Sequence, residues 1–331
     1  MRLEEQRLLN TIRLTLWSVS LLLLFMLMLV LLLFIPNHPE TVIEAQTKVE
    51  PASWTPPDST KIPNTAEGEM IRYGYELIAH TSVYLGPSGK ITAISNGMNC
   101  QNCHLKAGRK VWGNNYAAVA STYPKFRFRS GTIESIERRV NDCLERSLNG
   151  SALKEDSREM KAMVQYIRWV GSSIAKDVIP LGSGIFEVPV MERAANPELG
   201  MRIYQKQCSR CHGIMGQGAR NGSGTEWRYP PLWGDSSFNS GAGLLRISRM
   251  AGFIFRNMPN DAATQLSETE AWDVAAYICS QPRPGMDISR DWPDIKSKPF
   301  DHPFGPYADP YSEQQHKLGP FGPILVAGKP R

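Results

Sequence analysis

The chain has 331 residues, with 42% hydrophobic and 21% charged side chains and a formal net charge of +5. That length exceeds one domain of about 100 to 200 residues and predicts two modest domains plus additional segments. The basic excess, with a pI near 8.8, is diffuse and forms no basic stripe, which argues against nucleic acid and suits small anions or an acidic partner.

In chain order, residues 14–35 run for 22 positions without a charge, close to the roughly 20 residues that let a helix cross a bilayer. Arg2, Arg7 and Arg13 precede them, diluted by Glu4 and Glu5. Residues 1–13 are therefore expected in the cytoplasm and everything after the helix on the periplasmic side of the inner membrane, as a single-pass protein. A cleaved signal peptide is the competing reading. Its apolar core runs about 7 to 15 residues and ends at a small-x-small site, of which Ile43-Glu44-Ala45 is a poor version. Residues 36–65 carry prolines at 36, 39, 51, 56, 57 and 63 and are expected as an extended tether.

Two copies of one plan follow. Met70, Tyr73, Leu77 and Ile78 share one helical face ahead of Cys100, and Asn196-Pro197 opens a second helix through Leu199, Ile203 and Tyr204 into Cys208, with Asn as cap and Pro at the first helical position. Each copy also closes on a helix. In the first, Met160, Met163, Val164, Ile167 and Val170 share a face; in the second, a capping box Ser267-x-x-Glu270 leads to Trp272, Ala276 and Cys279. The expected architecture is mainly α, with tandem cytochrome c-like domains at 66–180 and 181–283. Residues 284–331 have no helical period and are expected as an extended tail wrapped over the domains.

Cys100-Gln101-Asn102-Cys103-His104 and Cys208-Ser209-Arg210-Cys211-His212 both read C-x-x-C-H, the attachment pattern of c-type haem. Two thiols one helical turn apart reach the two vinyl groups of a porphyrin, and the adjacent histidine is held beneath the iron. Two covalently bound haem c groups are therefore expected. A thioredoxin-like site would need a βαβ context that is missing here, and a zinc site would need further ligands.

The second axial ligand decides what each haem can do. For the second haem, Met258, 46 residues after His212, is the candidate; Met250 sits in an apolar run that reads as core. For the first haem the residue able to coordinate iron is Cys143, 39 residues after His104, with Arg127, Arg129, Arg138, Arg139 and Arg146 around it in sequence. Positive charge lowers a thiol pKa and collects anions. Two alternatives stay open on residues alone: a disulfide between Cys143 and Cys279 in an oxidising compartment, and arginines that are only a solvated face or partners of haem propionates.

From residue 71 to the C-terminus the sequence resembles the dihaem thiosulfate dehydrogenase family, periplasmic enzymes that join two thiosulfates into tetrathionate or run that reaction backwards. The resemblance is carried by Asn99-Cys100-x-x-Cys103-His104-Leu105, by Tyr123-Pro124-Lys125-Phe126-Arg127-Phe128-Arg129 and by Arg139-Val140-Asn141-x-Cys143-x-x-Arg146-Ser147-x-Asn149-Gly150. Asp309-Pro310-Tyr311-Ser312, Gln315-His316 and Gly319-Pro320-Phe321 extend it into the tail. It implies His104 and Cys143 as ligands of the first iron, His212 and Met258 as ligands of the second, and Arg129, Arg139 and Ser147 as the substrate site. It also implies Cys143 as the residue that carries a covalent thiosulfonate. The N-terminal membrane segment departs from the soluble members, so the redox partner is expected to be either a soluble cytochrome or a membrane quinol or cytochrome complex. The competing function is a membrane-tethered dihaem electron-transfer cytochrome with no substrate of its own.

Overall fold

The structure, a computed structural model, describes residues 2–33, 54–262 and 266–328. It divides into an N-terminal helical unit and a body that contains all the rest. The N-terminal unit is one helix, Arg2–Leu33, within which Leu9–Val30 is long and apolar enough to cross a membrane. Its hydroxyls are satisfied locally: Thr11 donates to the Arg7 carbonyl at 2.8 Å and Ser18 to the Leu14 carbonyl at 2.7 Å. That back-bonding removes the polar cost of an apolar surround. Residues 36–53 of the expected tether lie outside the described residues. Residues 54–65 lie on the body, where Trp54 is buried and its amide donates to the Leu181 carbonyl at 3.4 Å.

The body is mainly helical. Its first copy opens on Ala66–Ala79, capped by Thr65, and closes on Arg158–Val170, capped by Ser157. The second opens on Pro197–Ile203, capped by Asn196, and closes on Glu268–Cys279 through the Ser267/Glu270 capping box. Opening and closing helices cross closely in both copies because a glycine stands at each crossing. A Cβ added at Gly74 would sit 2.0 Å from the Ala162 carbonyl oxygen, and one at Gly200 would sit 1.9 Å from that of Asp273. Leu77, Ile78, Met160, Met163, Ile167 and Val170 fill the first interface and Tyr204, Trp272, Ala275, Ala276 and Ile278 the second, all buried. Each fully buried large aliphatic side chain contributes roughly 1.5 to 3 kcal/mol.

Among the described residues the strands make two short antiparallel hairpins. In one, Lys125–Arg127 pairs with Thr132–Glu134; in the other, Ala219–Arg220 pairs with Trp227–Tyr229. The tail departs from the expectation of a purely extended segment: among its described residues it forms two short α-helices, Glu313–Leu318 and Gly322–Ala327. Six residues are fewer than two turns, too few to show a 3.6-residue period. The tail does wrap the body. The Ala195 amide donates to the Leu318 carbonyl at 2.7 Å, the Phe321 ring lies 5.5 Å from that of Trp272, and Asp291 takes two hydrogen bonds from Arg146 at 2.7 and 2.9 Å.

Candidate functional site

Each copy holds a deep cavity walled by its own C-x-x-C-H segment. The first, about 780 Å³, is bounded by Cys100, Cys103, His104, Tyr116 and Cys143. The second, about 510 Å³, is bounded by Cys208, Cys211, His212, Met250 and Met258. In both, the histidine ring is fixed through Nδ1, which donates to a backbone carbonyl: His104 to Asn114 at 2.5 Å and His212 to Pro230 at 2.9 Å. A carbonyl can only accept, so Nδ1 carries the proton and Nε2 is left with a free lone pair. Burial pushes His104 down to about 4 and His212 in the same direction, which keeps both imidazoles neutral, as a metal ligand must be. The donor set therefore fits two covalent haems.

A further geometric device supports the first histidine. Its ring packs 4.6 Å from the Tyr116 ring, which reaches in over Gly108, a residue at φ +78 whose Cβ would lie 2.1 Å from Tyr116. Only glycine serves both demands there. Burial pushes the free thiols of Cys100 and Cys103 up to about 12, the form they hold before a haem is attached.

Next to the first cavity is a second space of about 540 Å³ that shares part of its wall, including Cys103, His104, Arg139, Cys143, Ser147 and Arg249. This space also receives Arg129. Cys143, Arg129, Arg139 and Ser147 thus come together, with Cys143 on the boundary between the two spaces. The helix Ile136–Arg146, capped by Ser135, places Arg139 and Cys143 one turn apart, and the Arg139 guanidinium donates to the Cys143 sulfur at 3.3 Å. Cys143 beside it holds Arg139 firmly charged, against the opposing effect of burial. Arg129, largely buried and repelled by Arg139, is lowered to about 10, and its Nε is buried without a partner.

Not every arginine near Cys143 in sequence reaches this space. Arg138 points outward to Glu145, and Arg146 turns to Asp142 and Asp291. Asp142 is the hub: buried, it lies 3.5 Å from Arg129, 3.6 Å from Arg139 and 3.3 Å from Arg146. Burial raises its carboxyl, and the surrounding arginines outweigh that and hold it below the usual range. Cys143 and Cys279 are not joined. Sequence reasoning missed Arg246 and Arg249, which line the same space from the second copy; a hundred residues from Cys143, they carry no local signal. It also gave no role to Lys125, although the resemblance ran through it.

Comparison with known proteins agrees with two cytochrome c domains. The family described as SoxA/TsdA, cytochrome c domain, matches residues 91–174, and that described as cytochrome c oxidase, cbb3-type, subunit III, matches residues 195–278. Similar proteins include thiosulfate dehydrogenases from Psychrobacter arcticus (38% identical, covering 72% of this chain and 71% of the relative) and Allochromatium vinosum (35%, 70% and 84%). The solved thiosulfate dehydrogenase (TsdBA) from Marichromatium purpuratum, in its as-isolated form, superimposes with a TM-score of 0.65 at 30% identity, covering 70% of this chain and half of that one. The body is accordingly two cytochrome c domains, which carry two covalently bound haem c groups.

Proposed function

This chain belongs to the thiosulfate dehydrogenase family, and we propose that it interconverts thiosulfate and tetrathionate at Cys143. Cys100, Cys103 and His104 would attach the first haem and Cys208, Cys211 and His212 the second, with Cys143 and Met258 as the further side chains that would hold the irons. The haems, when bound, supply two one-electron acceptors, matching the two electrons released when two thiosulfates are joined.

The residues divide the work. Cys143 thiolate attacks the outer sulfur of one thiosulfate, forming Cys–S–S–SO₃⁻ and releasing two electrons. The outer sulfur of a second thiosulfate then attacks that adduct; the bond to Cys143 Sγ breaks, the thiolate is regenerated and tetrathionate leaves. Charge balances in both steps, from −3 to −1 plus two electrons and then from −3 to −3. Cys143, which would also serve as a ligand of the first haem, attacks as the free thiolate. Arg139, already donating to Cys143 Sγ at 3.3 Å, stabilises the thiolate, and with Arg129 it pairs with sulfonate oxygens. Ser147 donates one more hydrogen bond.

The observation that carries this reading is the place of Cys143 on the shared wall of a haem cavity and a cation-lined space. In this reading both domains face the periplasm, anchored by the N-terminal helix, with a soluble cytochrome or a membrane quinol or cytochrome complex as electron partner. Replacing Cys143→Gly should leave both haems attached and abolish turnover in both directions. Wild-type rates of thiosulfate oxidation or tetrathionate reduction in that variant would sink the proposal.

A further inference from the structure

Two thiosulfates enter the proposed reaction, and the residues named so far hold one. Among the described residues, the space beside Cys143 is lined by six cations, Lys125, Arg127, Arg129, Arg139, Arg246 and Arg249, and by no carboxylate. Four of the six are engaged. Arg129 and Arg139 face Asp142; Arg127 lies 3.8 Å from Glu134, and Arg246 donates to Asp301 at 2.7 Å. Those three acids are buried behind the wall. The two remaining cations are Lys125, over the Tyr123 ring at 5.1 Å, and Arg249, whose carboxylate neighbour Glu187 is 3.6 Å away and 83% exposed. An exposed pair of that kind contributes little. Lys125 and Arg249 also border both spaces, as Cys143 does.

We propose that Lys125 and Arg249 form a separate subsite for the second thiosulfate, the one that attacks the Cys143 adduct, displaces the Cys143 thiolate and leaves as part of tetrathionate. The inference rests on the reaction proposed above and assigns its second step. Once the first thiosulfate is bound to Cys143, its sulfonate occupies Arg129 and Arg139, so an incoming dianion meets negative charge unless it has cations of its own. The second domain provides the opposite wall: the segment leading into the helix Ile247–Asn257 places Gly243 where a Cβ would stand 3.7 Å from Arg129 Nη2. Burial, followed by neighbouring arginines, disfavours the charged form of both Lys125 and Arg249, a cost that a bound dianion offsets. In the displacement itself no electrons are gained or lost. One S–S bond forms between the two outer sulfurs, and the Sγ–S bond breaks with its electron pair returning to Cys143.

The test separates the two steps in the full-length dihaem protein, using Arg249→Gln, Lys125→Gln and the conservative Arg249→Lys. Stopped-flow haem reduction by thiosulfate reports the first step; intact-protein mass spectrometry reports the thiosulfonate on Cys143. In the Gln variants the first step should keep its rate, tetrathionate release should slow by about 10- to 100-fold, the effect of losing a charge-assisted hydrogen bond, and the adduct should accumulate. Arg249→Lys should recover part of the loss. Unchanged release in both Gln variants overturns the inference, as does a changed haem spectrum or potential in Arg249→Gln, which would make that arginine a haem partner. Absence of thiosulfate-driven haem reduction in the unaltered protein would instead remove the underlying reaction.

Discussion

The two cytochrome c domains share a frame and differ in one wall. Both cross an opening and a closing helix over a glycine, and both fix a C-x-x-C-H histidine by Nδ1 on a carbonyl. In the second domain the cavity wall carries Met258, at the end of the helix Ile247–Asn257. In the first it carries Cys143, and the wall continues into a space full of guanidinium groups. Two copies of one attachment frame thus present different side chains to their cavities.

That contrast can be broken most severely by Cys143→Met, which gives the first domain the second one's thioether. Turnover should fall at least about a thousandfold, as for loss of a nucleophile, and the first haem's potential should rise. A redox titration with steady-state assays checks both; retained turnover would erase the distinction between the domains.

Arg139→Gln removes the donor on Cys143 and should lower kcat/KM for thiosulfate by about 10- to 100-fold. Arg129→Lys should recover little of what Arg129→Gln loses, because an ammonium does not reproduce the bidentate fork. The reverse exchange, Met258→Cys, should lower the potential of the second haem while leaving thiosulfate affinity unchanged. An unaltered titration curve would show that Met258 does not reach the metal.

The shared frame predicts similar damage in both copies. Gly74→Ala and Gly200→Ala should each destabilise by about 1 to 3 kcal/mol through overpacking, read as a lower denaturation midpoint for the affected domain. The smallest effect concerns the tail. Burial holds His302 at about 4, below its ordinary 6.5, opposed by the hydrogen bond with the Phe304 carbonyl and reinforced by Lys298 and Arg246. A base with a depressed folded pKa contributes stability that is complete above 6.5 and is lost as pH falls from 6.5 toward 4. Hydrogen-exchange protection of residues 291–304 should weaken over that window, and His302→Gln should remove the dependence.

Much of this protein was legible in its residues. The opening and closing helices, with Asn196-Pro197 and the Ser267/Glu270 box at their starts, follow from local capping and period, which are short-range physics. The two C-x-x-C-H segments are equally local, because haem attachment needs its groups adjacent in sequence. The tail's two helices were hidden by their shortness. Which arginines serve the site was hidden for a different reason. Arg127, Arg129, Arg138, Arg139 and Arg146 look equivalent around Cys143 in sequence, yet the helix Ile136–Arg146 sends Arg138 and Arg146 elsewhere, while Asp142 and Asp291 decide their partners. Arg246 and Arg249 arrive only when the second domain closes over the first. Covalent chemistry and helix starts are fixed within a few residues; an electrostatic site is a sum over space, and only the tertiary structure brings its charges together.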